Sequence, residues 1–302
     1  MQKIIGYIKV YLDTFNKAHF VFVSAFTAFL IFINYTKGEN IYLILKNYLP
    51  FPYFTLHYLL FLLAFFIPYA AYSFFGKKKY FHSPVFTSFV FLAPALFALK
   101  ISISPDFKTE RELMHVWNSI LHWPLALITM LILLILTWKI VQPEEKFYGI
   151  SAKNIEWKPF LQMLVFMIPL VAIASAQADF LATYPKMKMI LPLPESSNHF
   201  LYKLLFQLSY GSDFISIELF FRGFLILAFV KWVGKDAIIP MACFYCCIHF
   251  GKPLGECISS YFGGILLGII VYNTRSIWGG LLVHLGIAWL MELGATIGHT
   301  YY

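Results

Sequence analysis

Ionisable side chains interrupt three apolar segments in the last third of the chain. Glu218 and Arg222 lie four residues apart in one segment, His249 ends the next, and His284 lies within a later one. A titratable group inside a long apolar segment is costly to bury, so it is a functional candidate by default. One carboxylate and two imidazoles can bind zinc, or can activate a water and stabilise an oxyanion. The residue types alone therefore indicate either a metal site or a hydrolytic site.

The same residues also allow purely structural interpretations. Glu218 and Arg222 share one helix face at their spacing and can form a buried ion pair that orients neighbouring helices. A single His is more often a satisfied core residue, and Tyr245 lies on the same helix face as His249. Two His and one Glu on three neighbouring apolar helices are harder to explain by packing alone. The residue pattern leaves both interpretations open.

The composition shows in which environment these segments lie. Of the 302 residues, 60% are hydrophobic and 13% are charged, against roughly 25% charged in an average soluble domain. A soluble fold cannot hide so much apolar surface, whereas a bilayer solvates it directly. The net charge is +8, but the basic residues lie in short breaks between apolar runs, as in membrane loops. The sequence therefore predicts an integral membrane protein without a nucleic-acid partner.

Stretches of about 20 mainly apolar residues predict the membrane helices that position the ionisable groups. We predict an all-α, polytopic bundle of eight or nine transmembrane helices, at about residues 18–35, 53–75, 84–103, 117–140, 159–178, 203–231, 236–250, 257–273 and 277–297. The polar stretch 179–200 is predicted to be an external loop. The distribution of Lys and Arg favours a cytoplasmic N-terminus. We divide the chain into N-terminal helices of unknown role, 1–200, and a core with the ionisable residues, 201–302.

All four cysteines lie close together in the sequence, at Cys243, Cys246, Cys247 and Cys257. Three of them fall inside one apolar segment, which argues against a secreted disulfide framework. We interpret them as small, weakly polar residues that pack helices together.

The segments with ionisable residues resemble the CPBP family (CAAX protease and bacteriocin-processing proteins, also called Abi), which are intramembrane glutamic endopeptidases. The family pattern is Glu-Glu-x-x-x-Arg, then Phe-x-x-x-His, then His-x-x-x-Asn or Asp. Residues 214–223, 245–249 and 284–288 match these motifs in the same order, and 272–278 resembles the family's approach to its last His. The resemblance covers about residues 203–296. It implies a membrane protease core in this part of the chain.

The chain departs from the family pattern at three positions. Ile217 stands where the family has its first Glu, which the resemblance implies activates the attacking water with the second-motif His. Glu218 matches the second Glu only, and successive helical residues point about 100° apart, so it cannot simply replace the first. Ala288 stands where the family has an Asn or Asp that helps to hold the oxyanion, a loss that weakens transition-state stabilisation. Tyr245 in place of Phe is a mild change.

Two classes of function follow from the resemblance. The first is an active intramembrane endopeptidase that hydrolyses a peptide bond of a membrane-associated or prenylated substrate. Its catalytic residues would be Glu218 as base, His249 as its partner and His284 as oxyanion donor, with Arg222 and Tyr245 in support. The second is a catalytically degenerate relative that acts as a membrane-binding, chaperone-like or immunity protein. A transporter is a distant third, since no internal repeat supports it.

The resemblance also sets expectations that a structure or an experiment can test. We expect no cofactor and no bound metal, membrane lipid and a membrane-associated peptide or protein as partners, and a bacterial inner-membrane location. We expect helices 203–231, 236–250 and 277–297 to pack together around one shared cavity. His249 and His284 should then lie no more than about 15 Å apart, within reach of one reacting group.

Overall fold

A computed structural model describes residues 1–36, 53–76, 78–110, 113–152, 155–195 and 197–301. Within these ranges the chain is helical and has no β-strand, which confirms the all-α prediction. The helices, in chain order, are α1 (Gln2–Thr14), α2 (Lys17–Tyr35), α3 (Tyr53–Phe75), α4 (Pro84–Ser102), α5 (Met114–Val141), α6 (Trp157–Ala174), α7 (Ala178–Thr183), α8 (His199–Glu218), α9 (Val230–Val233), α10 (Ile238–Cys247), α11 (Leu254–Thr274) and α12 (Trp278–Tyr301). A π-helix, Leu219–Ala228, continues α8, and single-turn 3₁₀ segments cover Tyr80–His82, Lys186–Ile190 and Gly234–Ala237.

Seven of the described helices are long and apolar enough to cross a bilayer, namely α2, α3, α4, α5, α6, α11 and α12. Large apolar side chains on their outer faces are exposed, such as Ile140 at 78% and Phe166 at 68%. Such surface is costly in water and is solvated by lipid tails. Helices satisfy their own backbone hydrogen bonds, as a segment in lipid must. The protein is therefore an integral, multi-pass membrane protein.

The other two predicted spans are also helical, but they differ from simple membrane-crossing helices. Helix α8 and the π-helix together cover the predicted span 203–231, and this stretch carries the buried ionisable residues. Helix α10 covers the predicted span 236–250 with only 10 residues, all of them buried. About 20 residues are needed to cross the hydrocarbon core. Helix α10 therefore lies at the centre of the bundle rather than across a lipid-facing wall.

Helix α1 and the helical turns within the stretch 179–200 lie outside the predicted spans. Helix α1 is amphipathic and exposes Ile5 and Leu12, which lie seven residues apart on one side, a pattern typical of helices that lie in the membrane interface. Because α1 contains charged residues, it does not form a long apolar run and is not predicted as a membrane span. The stretch predicted as an external loop, 179–200, contains the short helix α7 and the 3₁₀ segment before α8 begins.

Aromatic packing joins the N-terminal helices to the core. Phe61 and Phe65 on α3 place their rings 4.9 and 5.8 Å from the ring of Phe244 on α10. Phe97 on α4 lies 5.0 Å from Phe220 in the π-helix. On the other side, α5 packs against α8, and α6 packs against α12. The N-terminal helices thus hold the elements that carry the ionisable residues in place.

The four cysteines are free thiols, and all of them are buried. Cys246 on α10 and Cys257 on α11 face each other with their sulfur atoms 3.8 Å apart. The thiols occupy the close contact between these two helices.

Candidate active site

Glu218 is the last residue of α8, at the junction with the π-helix. The side chain of Asn198 accepts a hydrogen bond from the backbone N–H of Leu201 at 3.1 Å and thereby caps the start of α8. The helix then runs 20 residues to Glu218. Segments with π geometry are rare and occur frequently at functional sites. The change from α to π geometry therefore occurs at Glu218, the residue whose charge already makes it a functional candidate in the sequence.

Glu218 stands at the centre of a buried polar cluster. Its Oε1 atom lies 3.1 Å from Nη1 of Arg222 and 3.0 Å from Nδ1 of His284. The side chains of Glu218 and Arg222 have no exposed area, and that of His284 is 14% exposed. The Arg222 guanidinium also lies 4.1 Å from the centre of the Tyr245 ring. A buried carboxylate needs partners of this kind to offset the cost of its burial. The predicted pair of Glu218 and Arg222 is therefore present, and His284 of the third motif joins it.

The hydrogen bonds around His284 define the roles of its two ring nitrogens. An ionised carboxylate only accepts hydrogen bonds, so Nδ1–H of a neutral His284 donates to Glu218. Its Nε2 atom is then an acceptor, and it lies 3.0 Å from the hydroxyl of Tyr245. Tyr245 therefore donates to His284, which donates to Glu218.

His249 reaches the same cluster through Tyr245. Its Nδ1 atom lies 2.9 Å from the backbone carbonyl of Tyr245, which can only accept, so Nδ1 carries the proton and Nε2 keeps a lone pair. The Tyr245 ring lies 4.7 Å from the His249 ring and 5.9 Å from the His284 ring. The two imidazoles are therefore well within the expected limit. The structure brings Glu218, Arg222 and both His residues together around Tyr245, by direct packing.

The two non-polar departures from the motifs lie in apolar surroundings. Ile217 is half-buried and packs against the large apolar core. Ala288 is buried in a separate apolar cluster that includes Phe206, Tyr210 and Phe214. Neither residue can donate or accept a side-chain hydrogen bond, so neither supplies the polar group that the family pattern has at its position.

Two features of the site do not follow from the motifs: the hydrogen bond between the Tyr245 hydroxyl and His284, and the position of Gly280 on α12, where an added Cβ atom would lie 2.7 Å from Oε2 of Glu218. The sequence contains one signal for the first of them, because the residue that gains a hydroxyl relative to the family, Tyr245, accompanies one that loses a polar group, Ala288. No sequence signal identifies Gly280.

Gly280 on α12 leaves room for the Glu218 carboxylate. A Cβ atom at Gly280 would lie 2.7 Å from Oε2 of Glu218, and that oxygen has no hydrogen-bond partner among the described residues. Within the described residues Oε2 is therefore a hydrogen-bond acceptor without a partner, in a side chain that has no exposed area.

Gly280→Ala is expected to lower the free energy of unfolding by about 1–3 kcal/mol, because the added methyl group overpacks the site. Thermal unfolding of the purified protein in lipid nanodiscs measures the change. Gly263→Ala is the matched control, since a Cβ atom there meets nothing within 4 Å. Equal unfolding temperatures for the two variants would show that Glu218 does not occupy this position.

The described part of the chain contains no group of three or more His, Cys, Asp or Glu side chains arranged to hold a metal ion. Glu218 and the two His residues instead bond to one another and to Tyr245. The expectation that the protein binds no metal stays a prediction.

Comparison with known proteins supports the resemblance. Residues 201–290 match the model of a family described as type II CAAX prenyl endopeptidase Rce1-like. The match confirms the resemblance to the CPBP family in the region that carries Glu218, His249 and His284. Neither the curated proteins nor the solved structures gave a match to the chain. The match supports a CPBP-type intramembrane protease at the level of the family, over residues 201–290.

Proposed function

We propose that the protein is an active intramembrane endopeptidase that hydrolyses a peptide bond of a membrane-associated or prenylated peptide, without a cofactor or metal. We place it in a bacterial inner membrane. The observation that carries the proposal is the contact between Glu218 Oε1 and His284 Nδ1, at 3.0 Å, inside an apolar bundle. An acid and an imidazole at this distance, with a second imidazole nearby, are suited to move protons at a scissile bond.

In this mechanism Glu218 and His249 activate the water. The free Oε2 of Glu218 and the lone pair on Nε2 of His249 are the two basic atoms available. As the water oxygen bonds to the carbonyl carbon, its proton passes to this pair. The carbon–nitrogen bond then breaks, and the same proton is delivered to the leaving amine. Both steps need a base whose orientation is held, and the backbone carbonyl of Tyr245 holds His249.

In this proposal His284 is protonated when the oxyanion forms. Its Nδ1–H keeps the hydrogen bond to Glu218, while Nε2–H and the Tyr245 hydroxyl, which no longer donates to Nε2, stabilise the oxyanion. The Tyr245 hydroxyl is the polar donor nearest to His284, and it takes over the function that the family assigns to the Asn or Asp at position 288. A preorganised donor in a water-poor site contributes strongly to transition-state stabilisation. Arg222 balances the charge of Glu218 throughout the reaction.

The remaining helices have a scaffolding role in this proposal. Residues 1–200 pack their aromatic side chains against the π-helix and α10, and residues 201–302 supply the reacting groups. In this proposal the first part of the chain therefore positions the site, and the second part carries the catalytic residues.

The direct test is cleavage by the purified protein in lipid. A library of membrane peptides, including prenylated peptides with a C-terminal C-a-a-X sequence, is incubated with wild type, and products are identified by mass spectrometry. We expect cleavage that is slow, because Ile217 removes a general base, a loss typically worth about 10²–10⁴-fold. The absence of any product from every peptide would contradict the proposal.

The apolar surroundings of Ile217 and Ala288 favour one second candidate, a degenerate relative that binds membrane proteins without cutting them. If wild type is inactive, the double variant Ile217→Glu, Ala288→Asn restores both polar groups of the family pattern. Cleavage by this variant alone would support the degenerate alternative.

A further inference from the structure

A cavity of about 270 Å³ lies where the starts of α1, α6 and α12 meet the end of α11. Glu218, His249 and His284 do not line it. Its lining combines apolar side chains, among them Ile4, Pro159 and Phe160, with the polar side chains of Lys3, Glu156, Asn273, Thr274 and Ser276. The cavity therefore fits a ligand that has both a polar and an apolar part.

The ends of membrane-spanning helices show the depth of this cavity. Helices α6, α11 and α12 are long and apolar enough to cross a bilayer. Trp157 and Trp278, at the starts of α6 and α12, are exposed, and Trp is enriched at the interface between membrane and water. Helix α1 exposes Ile5 and Leu12, as helices in this interface do. The cavity therefore lies at the depth of the lipid headgroups.

One cation and one anion provide the charge of the cavity. Nζ of Lys3 lies 2.8 Å from Oε1 of Glu156, and both side chains are more than half exposed, so a ligand can reach both. Among the described residues, no other charged side chain lines the cavity. A purely anionic ligand would be repelled by Glu156 about as strongly as it is attracted by Lys3. A zwitterion can instead place an opposite charge at each.

The polar side chains at the junction of α11 and α12 offer acceptors to a ligand. Nδ2 of Asn273 and the hydroxyls of Thr274 and Ser276 each donate a hydrogen bond to a backbone carbonyl, at 2.8, 3.3 and 2.7 Å. A hydroxyl that donates its proton can still accept, and the amide oxygen of Asn273 only accepts. Together with the carboxylate of Glu156, these atoms favour a cationic group that carries N–H donors.

We propose that the cavity binds the headgroup of an ethanolamine phospholipid, with the phosphate at Lys3 and the primary ammonium at Glu156. The ammonium carries N–H donors for the carboxylate and the neighbouring acceptors, and hydrogen bonds between charged groups are among the strong ones in proteins. A choline headgroup has the same charges, but its quaternary ammonium has no N–H to donate. The proposal does not depend on whether the protein cleaves peptides.

The test measures lipid binding to the purified whole chain in detergent by native mass spectrometry, with ethanolamine and choline lipids of identical acyl chains. For wild type we expect a Kd roughly tenfold lower for the ethanolamine lipid, as for one hydrogen bond between charged groups. Glu156→Gln should remove this preference. Lys3→Gln should weaken both lipids alike and keep the preference, because both lipids carry the phosphate. Glu144→Gln, at an exposed carboxylate outside the cavity, is the matched control and should bind as wild type does.

Equal Kd values for the two lipids with wild type would overturn the proposal, as would a preference that survives in Glu156→Gln. A preference lost to the same extent in Glu144→Gln would assign it to the general surface charge and would also overturn the proposal. Free phosphoethanolamine tests for a soluble ligand of the same chemistry. We expect it not to displace the lipid at equal concentration, and full displacement would contradict a lipid site.

Discussion

Glu218→Gln is expected to abolish peptide cleavage, with a loss of at least about 10²-fold and up to about 10⁴-fold. The amide cannot take up a proton from water, and it leaves Arg222 without a counter-charge. It also weakens the acceptor that orients His284, now at 3.0 Å from Oε1. Initial rates of peptide cleavage in lipid, compared at equal protein concentration, measure the effect.

Two control variants separate chemistry from stability. Asp213 lies on the same helix and forms a buried ion pair with Lys100 at 2.6 Å, outside the cluster, so Asp213→Asn also leaves a buried cation unpaired. Removal of one partner from a buried pair costs about 3–5 kcal/mol. We expect Asp213→Asn to be destabilised and active, and Ile217→Ala to be active. Full activity of Glu218→Gln would show that another group is the base.

His249→Ala is expected to reduce cleavage by about 10²–10⁴-fold as well. The variant removes the Nε2 lone pair to which the proposal assigns the water proton, while Tyr245, Glu218 and His284 keep their hydrogen bonds to one another. The loss should therefore appear mainly in kcat, with little change in KM, because the imidazole acts on the water.

His19→Ala is a closely matched control for this variant. His19 is fully buried, and its ring also lies in hydrogen-bond contact with a backbone carbonyl, that of Pro68 at 2.8 Å. It lies on α2, outside the cluster. Robust turnover that survives His249→Ala would show that both the site and the mechanism are assigned wrongly. The double variant Glu218→Gln, His249→Ala should lose little more cleavage activity than the more strongly affected of its two single variants, since the effects of residues that act as a unit are not additive.

The positions of Glu218 and Arg222 illustrate what can be predicted from the sequence. A spacing of four residues fixes a shared helix face, and the cost of a charge in an apolar segment requires a partner. These two rules predict the ion pair and the meeting of three helices. The resemblance adds the order of the motifs, and the match at residues 201–290 confirms it.

The geometry within the cluster follows from packing that no local rule describes. Periodicity at 3.6 residues per turn predicts an uninterrupted helix, whereas the helix changes from α to π geometry after Glu218. Residues of the π-helix make long-range contacts, such as that between Phe220 and Phe97. The hydrogen bond from Tyr245 to His284 joins residues 39 positions apart. The sequence suggests a mild Phe-to-Tyr change there, whereas the fold makes Tyr245 the link between the two His residues, through its hydroxyl to His284 and its backbone carbonyl to His249.

The burial of all four cysteines has a practical consequence for labelling experiments. Thiol reagents act on exposed thiolates, and none of the native thiols is exposed, so the folded protein offers an unreactive background. A cysteine introduced for Lys79 or for Lys108, which are exposed at opposite ends of α4, would be the single accessible thiol. A membrane-impermeant maleimide would then modify only the variant whose loop faces the reagent. Comparison of the two single-substitution variants therefore gives the orientation of the bundle in the membrane.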